Sequence, residues 1–165
     1  MKVLNKFVVG AAALVLLTAC GPSKISYDKY HEKAVAAAKN ENGFTKATVD
    51  GTAKVKQDGK STEYKFDKVV IEGFTNGRMS ATEIGAKMAA LAVAGKEVDI
   101  LALTFCATTA ELVTKSDKAV YYSDLSASLE DDGDKFTIKF DKNGLPTSYK
   151  FSGDASGSVK ISWSK

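Results

Sequence analysis

Few side chains in this sequence are equipped for chemistry, and their spacing limits what they can do. Cysteines stand at Cys20 and Cys106, and the single histidine is His31. A thiol becomes a nucleophile when a base or a cation holds it as thiolate. Cys106 sits instead among Leu103, Phe105 and Ala107, with His31 far off in a lysine-rich stretch, which reads as a buried, inert thiol. A zinc site needs ligands at recognisable spacing, and one His, two Cys and scattered acids supply none. Asp131, Asp132 and Asp134 flank Gly133 like the opening of a calcium loop. The later ligand positions and the terminal Glu are missing, so a solvated hairpin is expected there. No glycine-rich phosphate loop or serine nucleophile elbow is present, and no spacing singles out a pair of acids for glycoside hydrolysis. Arg78 is the only arginine, so bidentate recognition of carboxylate or phosphate is poorly provided for. The expectation is a non-catalytic protein with neither metal nor cofactor.

Cys20 has a different setting. Lys2 and Lys6 precede an uninterrupted apolar run from Phe7 to Leu17. The run is well short of the roughly 20 residues a permanent membrane-spanning helix needs, and it has the proportions of a secretory leader. Leu17-Thr18-Ala19-Cys20 follows, then Gly21. This tetrad resembles the lipobox of bacterial lipoproteins. The resemblance implies lipidation of Cys20, since only a thiol takes the diacylglycerol thioether. It also implies cleavage between Ala19 and Cys20, where small side chains suit the peptidase. On this reading residues 1–19 are a cleaved signal peptide, 20–26 a lipidated tether, and 27–165 one folded domain. The protein then sits outside the cytoplasm, held by its lipid anchor on the cell membrane or the outer membrane, and Cys106 has no disulfide partner.

The overall composition agrees with a single domain. The chain has 165 residues, 44% hydrophobic and 26% charged, which excludes a polytopic membrane protein and a disordered chain. Its formal charge is +3, but Lys2 and Lys6 carry two of those charges. The remainder is close to neutral, with no electrostatic case for nucleic acid, and a monomer is expected.

The elements follow from periodicity. Ser26 caps a helix from Tyr27 with Tyr30, Ala34, Val35 and Ala38 on one stripe, closing at Asn42-Gly43. Ala47, Val49, Gly51, Ala53 and Val55 then alternate with polar residues as a half-buried strand, and Asp58-Gly59 signals a hairpin. The return strand carries Tyr64, Phe66 and Val70, and its alternation slips at Asp67-Lys68, which predicts a bulge. Ser80-Ala-Thr-Glu83 is a capping box opening a slim helix with Ile84, Met88, Leu91 and Ala92 on its stripe and Gly95 as its stop, suited to packing on a sheet. Residues 97–114 are apolar enough to be buried but fit helical and extended registers equally. The last third reads as strands: Tyr121 to Leu129, Phe136 to Phe140, Tyr149 to Phe151 and Val159 to Trp163. Turns are expected at Asp131–Asp134, at Asp141–Gly144 and between Gly153 and Gly157. One apolar and one polar face per strand predicts an α+β fold, one antiparallel sheet with two or three helices on its apolar face. The wet face, with Lys alternating with Ser and Thr, reads as solubilising surface with weak attraction to anionic headgroups.

The inner face collects Tyr64, Phe66, Phe136, Phe140, Tyr149, Phe151 and Trp163, with Met88 and Leu91 on the helix above. They form either the core or the lining of an apolar pocket. The order helix, strands, helices, strands, with the late Lys139-Phe-Asp-Lys-Asn-Gly-Leu-Pro-Thr147, is similar to the half-barrel lipoproteins of the LolA/LppX type. That resemblance implies a curled sheet and carriage of a lipid or other hydrophobic ligand; it transfers no site residue. A structural lipoprotein docking an envelope partner through its sheet face or edge is the alternative.

Overall fold

A computed structural model describes residues 22–165; the Leu17–Cys20 tetrad, the expected cleavage site and Gly21 lie outside the described residues. The order is β1 (Lys24–Ile25), α1 (Tyr27–Ala38), β2 (Lys46–Gln57), β3 (Lys60–Glu72), α2 (Ala81–Val93), α3 (Glu97–Ala107) and a 3-10 turn (Ala110–Leu112). Then come β4 (Ala119–Tyr122), β5 (Ala127–Asp131), β6 (Asp134–Phe140), β7 (Pro146–Ser152) and β8 (Ala155–Ser164). The strands make one open antiparallel sheet in the order β1-β4-β5-β6-β7-β8-β2-β3, so the fold is α+β. Among the described residues no helix is long and apolar enough to cross a membrane.

Local chemistry sets most boundaries. Ser26 Oγ accepts from Lys29 N and starts α1. The helix stops at Ala38, short of the expected Asn42-Gly43, because Asn42 is drawn into a loop lock with Asn76. Asn42 N and Gly43 N donate to Asn76 Oδ1, and Asn42 Nδ2 donates to Asn76 O. Ser80 and Glu83 form the reciprocal capping box of α2. Asp58 and Gly59, at φ 51° and 74°, close the β2–β3 hairpin. The slip at Asp67-Lys68 is a bulge. Val49 pairs with Val69 and Gly51 with Phe66, so β3 spends one extra residue there, and Lys68 takes φ 51°.

Four expectations need correction. Lys24 and Ile25 do not belong to a free tether; they pair with Tyr122 and Tyr121 as an edge strand. Tyr121 to Leu129 is not one strand, because Ser123–Ser126 turns the chain between β4 and β5. Asp124 Oδ1 accepts from Ser126 N and holds that turn, with Leu125 at φ 67°. The even-length turn preserves alternation across it, which hides the break. Gly157 lies inside β8, where a Cβ would run into the β2 backbone at Thr52 and Ala53. Finally, α2 packs on α3, which itself lies against β2 and β3, so α3 is the helix seated on the sheet. No residue of α2 is buried, and Val93 is 92% exposed.

The core runs along the inner face from Tyr121 and Ala127 through Ile138, Tyr149, Val159 and Ile161 to Val49 and Phe66. Tyr30 and Ala34 of α1 cover one end, and Ala102, Leu103 and Cys106 of α3 the other. Every core residue described lies within residues 25–163, so this span encloses a hydrophobic core of its own.

Candidate functional site

The aromatic residues of the inner face do not share one pocket. Phe105, in the ambiguous 97–114 stretch, projects from α3 into their midst. Its ring lies 5.7 Å from Phe66, 4.9 Å from Tyr149 and 6.2 Å from Phe151, centroid to centroid. Tyr149 Oη donates to Phe105 O at 2.7 Å and locks the end of the helix to β7. Tyr64 stands at the margin, its hydroxyl on Glu97 Oε1. Trp163 packs edge-on to Phe74 and donates from Nε1 to Pro146 O. Met88 and Leu91 pack against the core from α2. Phe140 is buried at the far end, and Phe136 continues the Phe151 stack at 6.4 Å.

Space opens beside this cluster instead. A groove of about 390 Å³ lies between the segment after α3 and strands β5 and β6. Ala127, Phe136 and Ile138 make its floor, and Leu129 lies at its edge. Thr108, Leu112, Val113, Thr114 and Ser116 make its wall, closed by Ala119 and Ser128. Of the nine expected pocket residues only Phe136 lines it, and α2 contributes none. Its described lining holds no titratable side chain, so it offers hydroxyls and hydrocarbon but no acid, base or metal ligand.

The wall is held from outside. Ala110 N donates to Gly144 O, and Arg78 Nε meets Glu111 Oε1 at 3.0 Å. The same guanidinium donates to Asn143 O and Asn76 O, so the only arginine joins three loops. Tyr27 Oη donates to Val113 O and Tyr121 Oη to Thr114 O, while Ser116 N donates back to Tyr121 Oη. With its backbone fixed this way, the segment turns Leu112 to the mouth, 60% exposed, opposite Leu129 at 37%. Leu112 and Leu129 thus leave hydrocarbon open to solvent at the rim of the groove.

A larger groove of about 670 Å³ runs between α1 and the turns at Ser123–Leu125 and Asp141–Lys142, with Phe140 in its floor. Its polar groups are engaged in holding the chain. Lys33 Nζ donates to Ser123 O, and Asp141 Oδ1 accepts from Asn143 N and Leu145 N. The smaller, more apolar groove is therefore the better candidate.

The remaining reactive groups are quiet. Burial alone pushes the Cys106 thiol up to about 12, far from a thiolate at neutral pH. Asp131 pairs with Lys118 on the hairpin, and among the described residues no three His, Cys, Asp or Glu side chains gather as a metal site. The wall residues carry no sequence signal of their own beyond Leu112 and Val113 being apolar in a polar neighbourhood. Compared with known proteins, the chain matches no family model, no curated protein and no solved structure.

Proposed function

We propose that this protein is a lipid-anchored component of the bacterial cell envelope that binds one hydrophobic ligand without chemistry. The observation that carries the reading is the groove of about 390 Å³ beside β5 and β6, apolar in its floor, free of titratable lining, with Leu112 and Leu129 at its mouth. The volume falls near the lower end of the roughly 300–1,000 Å³ typical of small-molecule sites, which suits a single acyl chain. Burial of hydrocarbon supplies the affinity, and the hydroxyls of Thr108, Thr114 and Ser116 orient a polar end. The leader and the Leu17-Thr18-Ala19-Cys20 tetrad support the anchor.

Native mass spectrometry of residues 22–165, followed by titration with a fluorescent fatty acid, tests the ligand. Co-purifying lipid, or saturable probe binding at one site, is expected. Leu112→Asp removes mouth hydrocarbon from an exposed position and lowers probe affinity by about tenfold, the equivalent of about 1.4 kcal/mol. A clean unliganded mass together with no probe binding overturns the reading, as does unchanged affinity in Leu112→Asp. A docking role is favoured by one feature, the exposed Ala- and Val93-bearing side of α2. It predicts a protein partner and no lipid in the same spectra.

A further inference from the structure

The outward face of β6, β7 and β8 has an unusual composition. From Lys135 to the end of β6, and throughout β7 and β8, there is no acidic residue. The outward positions are Lys135, Lys139, Lys150 and Lys160 with Ser and Thr between them. In register, Lys139 faces Ser148 and Ser148 faces Lys160, while Thr137 faces Lys150 and Lys150 faces Ser158. With strands about 4.8 Å apart, these ammonium groups form a plate of positive charge in a domain whose total charge is near neutral. Lys139, Lys150 and Lys160 enter no ion pair among the described residues; Lys135 meets Glu130 at 3.3 Å, both largely exposed. Two acids stand in register at its margins, Glu130 opposite Lys135 on β5 and Asp50 opposite Lys160 on β2. A hollow of about 190 Å³ is lined by Lys135, Thr137, Lys150, Phe151 and Ser152, so two lysines and two hydroxyl-bearing residues border it.

We infer that this face docks on an anionic lipid bilayer, with phosphate headgroups entering the Lys135–Lys150 hollow. Charge complementarity selects an anionic occupant, and the shape selects a bilayer over a soluble polyanion. A linear polyanion is gripped in a charged channel, and nucleic acid adds stacking on aromatic rings. Here the lysines spread over a broad sheet surface with no channel, and no aromatic side chain occupies an outward position of these three strands. A membrane needs neither, because its charges are mobile and its surface is wide. The docking does not depend on a lipid at Cys20.

Vesicle co-sedimentation of residues 22–165, the span that encloses its own core, tests the inference. Binding is expected to vesicles of equal parts phosphatidylcholine and phosphatidylglycerol and not to phosphatidylcholine alone. Salt should release it, as the Debye length falls from about 10 Å at 0.1 M to about 3 Å at 1 M. Each lysine near the surface contributes roughly fivefold, so Lys139→Gln, Lys150→Gln and Lys160→Gln together lower vesicle affinity on the order of a hundredfold. Removing the same charge from exposed positions elsewhere, with Lys29→Gln, Lys39→Gln and Lys96→Gln, should leave binding intact. Equal binding to neutral vesicles, equal loss in both triple variants, or tighter binding to soluble polyphosphate than to vesicles overturns the inference. Should the first triple variant fail to melt cooperatively, the lipid and salt dependence of the unaltered chain decides.

Discussion

Removing the ring of Phe105 is the sharpest test of how this sheet is filled. Phe105→Ala takes away an aromatic group that meets Phe66 edge-on, tilts against Tyr149 and lies parallel to Phe151. Phe-to-Ala changes in cores cost about 3–5 kcal/mol. Phe105 is half-buried, which places it at the lower end, about 3 kcal/mol even with its aromatic pairs included. For a domain of this size that lowers the melting midpoint by about 10 °C. Phe105→Leu keeps most of the volume and should cost less than about 1.5 kcal/mol. Calorimetry and urea titration measure both, and the urea slope should not change, since the same surface unfolds. A double-mutant cycle with Phe66→Ala should return a coupling of about 0.5–1.5 kcal/mol. A shift below about 3 °C for Phe105→Ala, or zero coupling to Phe66, would refute the seating of α3 on the sheet.

Two other outcomes follow from the fold. At Gly51, φ is 136° and a Cβ would lie 2.9 Å from Val159 Cα and closer still to Ser158 O, with β3 hemming the strand from the other side. Gly51→Ala should therefore cost about 3 kcal/mol or more, against about 1 kcal/mol for Gly59→Ala, where left-handed strain acts alone in open space; chemical denaturation of the pair checks the contrast. Alkaline stability is set by protons that burial retains: the Cys106 thiol rises from 9.0 to about 12, and burial raises the Tyr30 and Tyr149 phenols as well. The unfolded chain releases these protons first, so the stabilisation is complete below pH 9 and disappears as pH climbs through about 12. Urea midpoints measured across that range should fall, and Cys106→Val should reduce the fall; a flat profile contradicts the burial.

The sequence spoke most clearly where one residue governs one local event. Ser26, the Ser80–Glu83 box, Asp58-Gly59 and the slip at Asp67-Lys68 each specify a cap, a turn or a bulge through their own hydrogen bonds or dihedrals, and each is found. Residues 97–107 were illegible because Val98, Ile100, Leu101, Leu103 and Phe105 leave no polar stripe to fix a period. α3 is wedged between the sheet and α2, so nearly every side meets protein. That one uncertainty moved the candidate site. With α3 unplaced, the sequence pattern makes α2 the cover for the aromatic face and puts the pocket beneath it. The floor residues Phe136 and Ile138 were recognisable as inward-facing, whereas the wall depends on tertiary hydrogen bonds from Tyr27 and Tyr121 that no local pattern announces.

The open sheet has another side to its architecture. Among the described residues β3 pairs only with β2, so one flank of a thirteen-residue strand presents backbone donors and acceptors without a strand partner. Such a flank is a template on which a second chain can grow into fibrils. The bulge at Lys68 bends the template midway, and Lys60, Glu63, Lys65, Asp67 and Glu72 stud it with charge. These residues then act less on the folding of this molecule than on its solitude, keeping neighbouring copies from zipping together strand by strand.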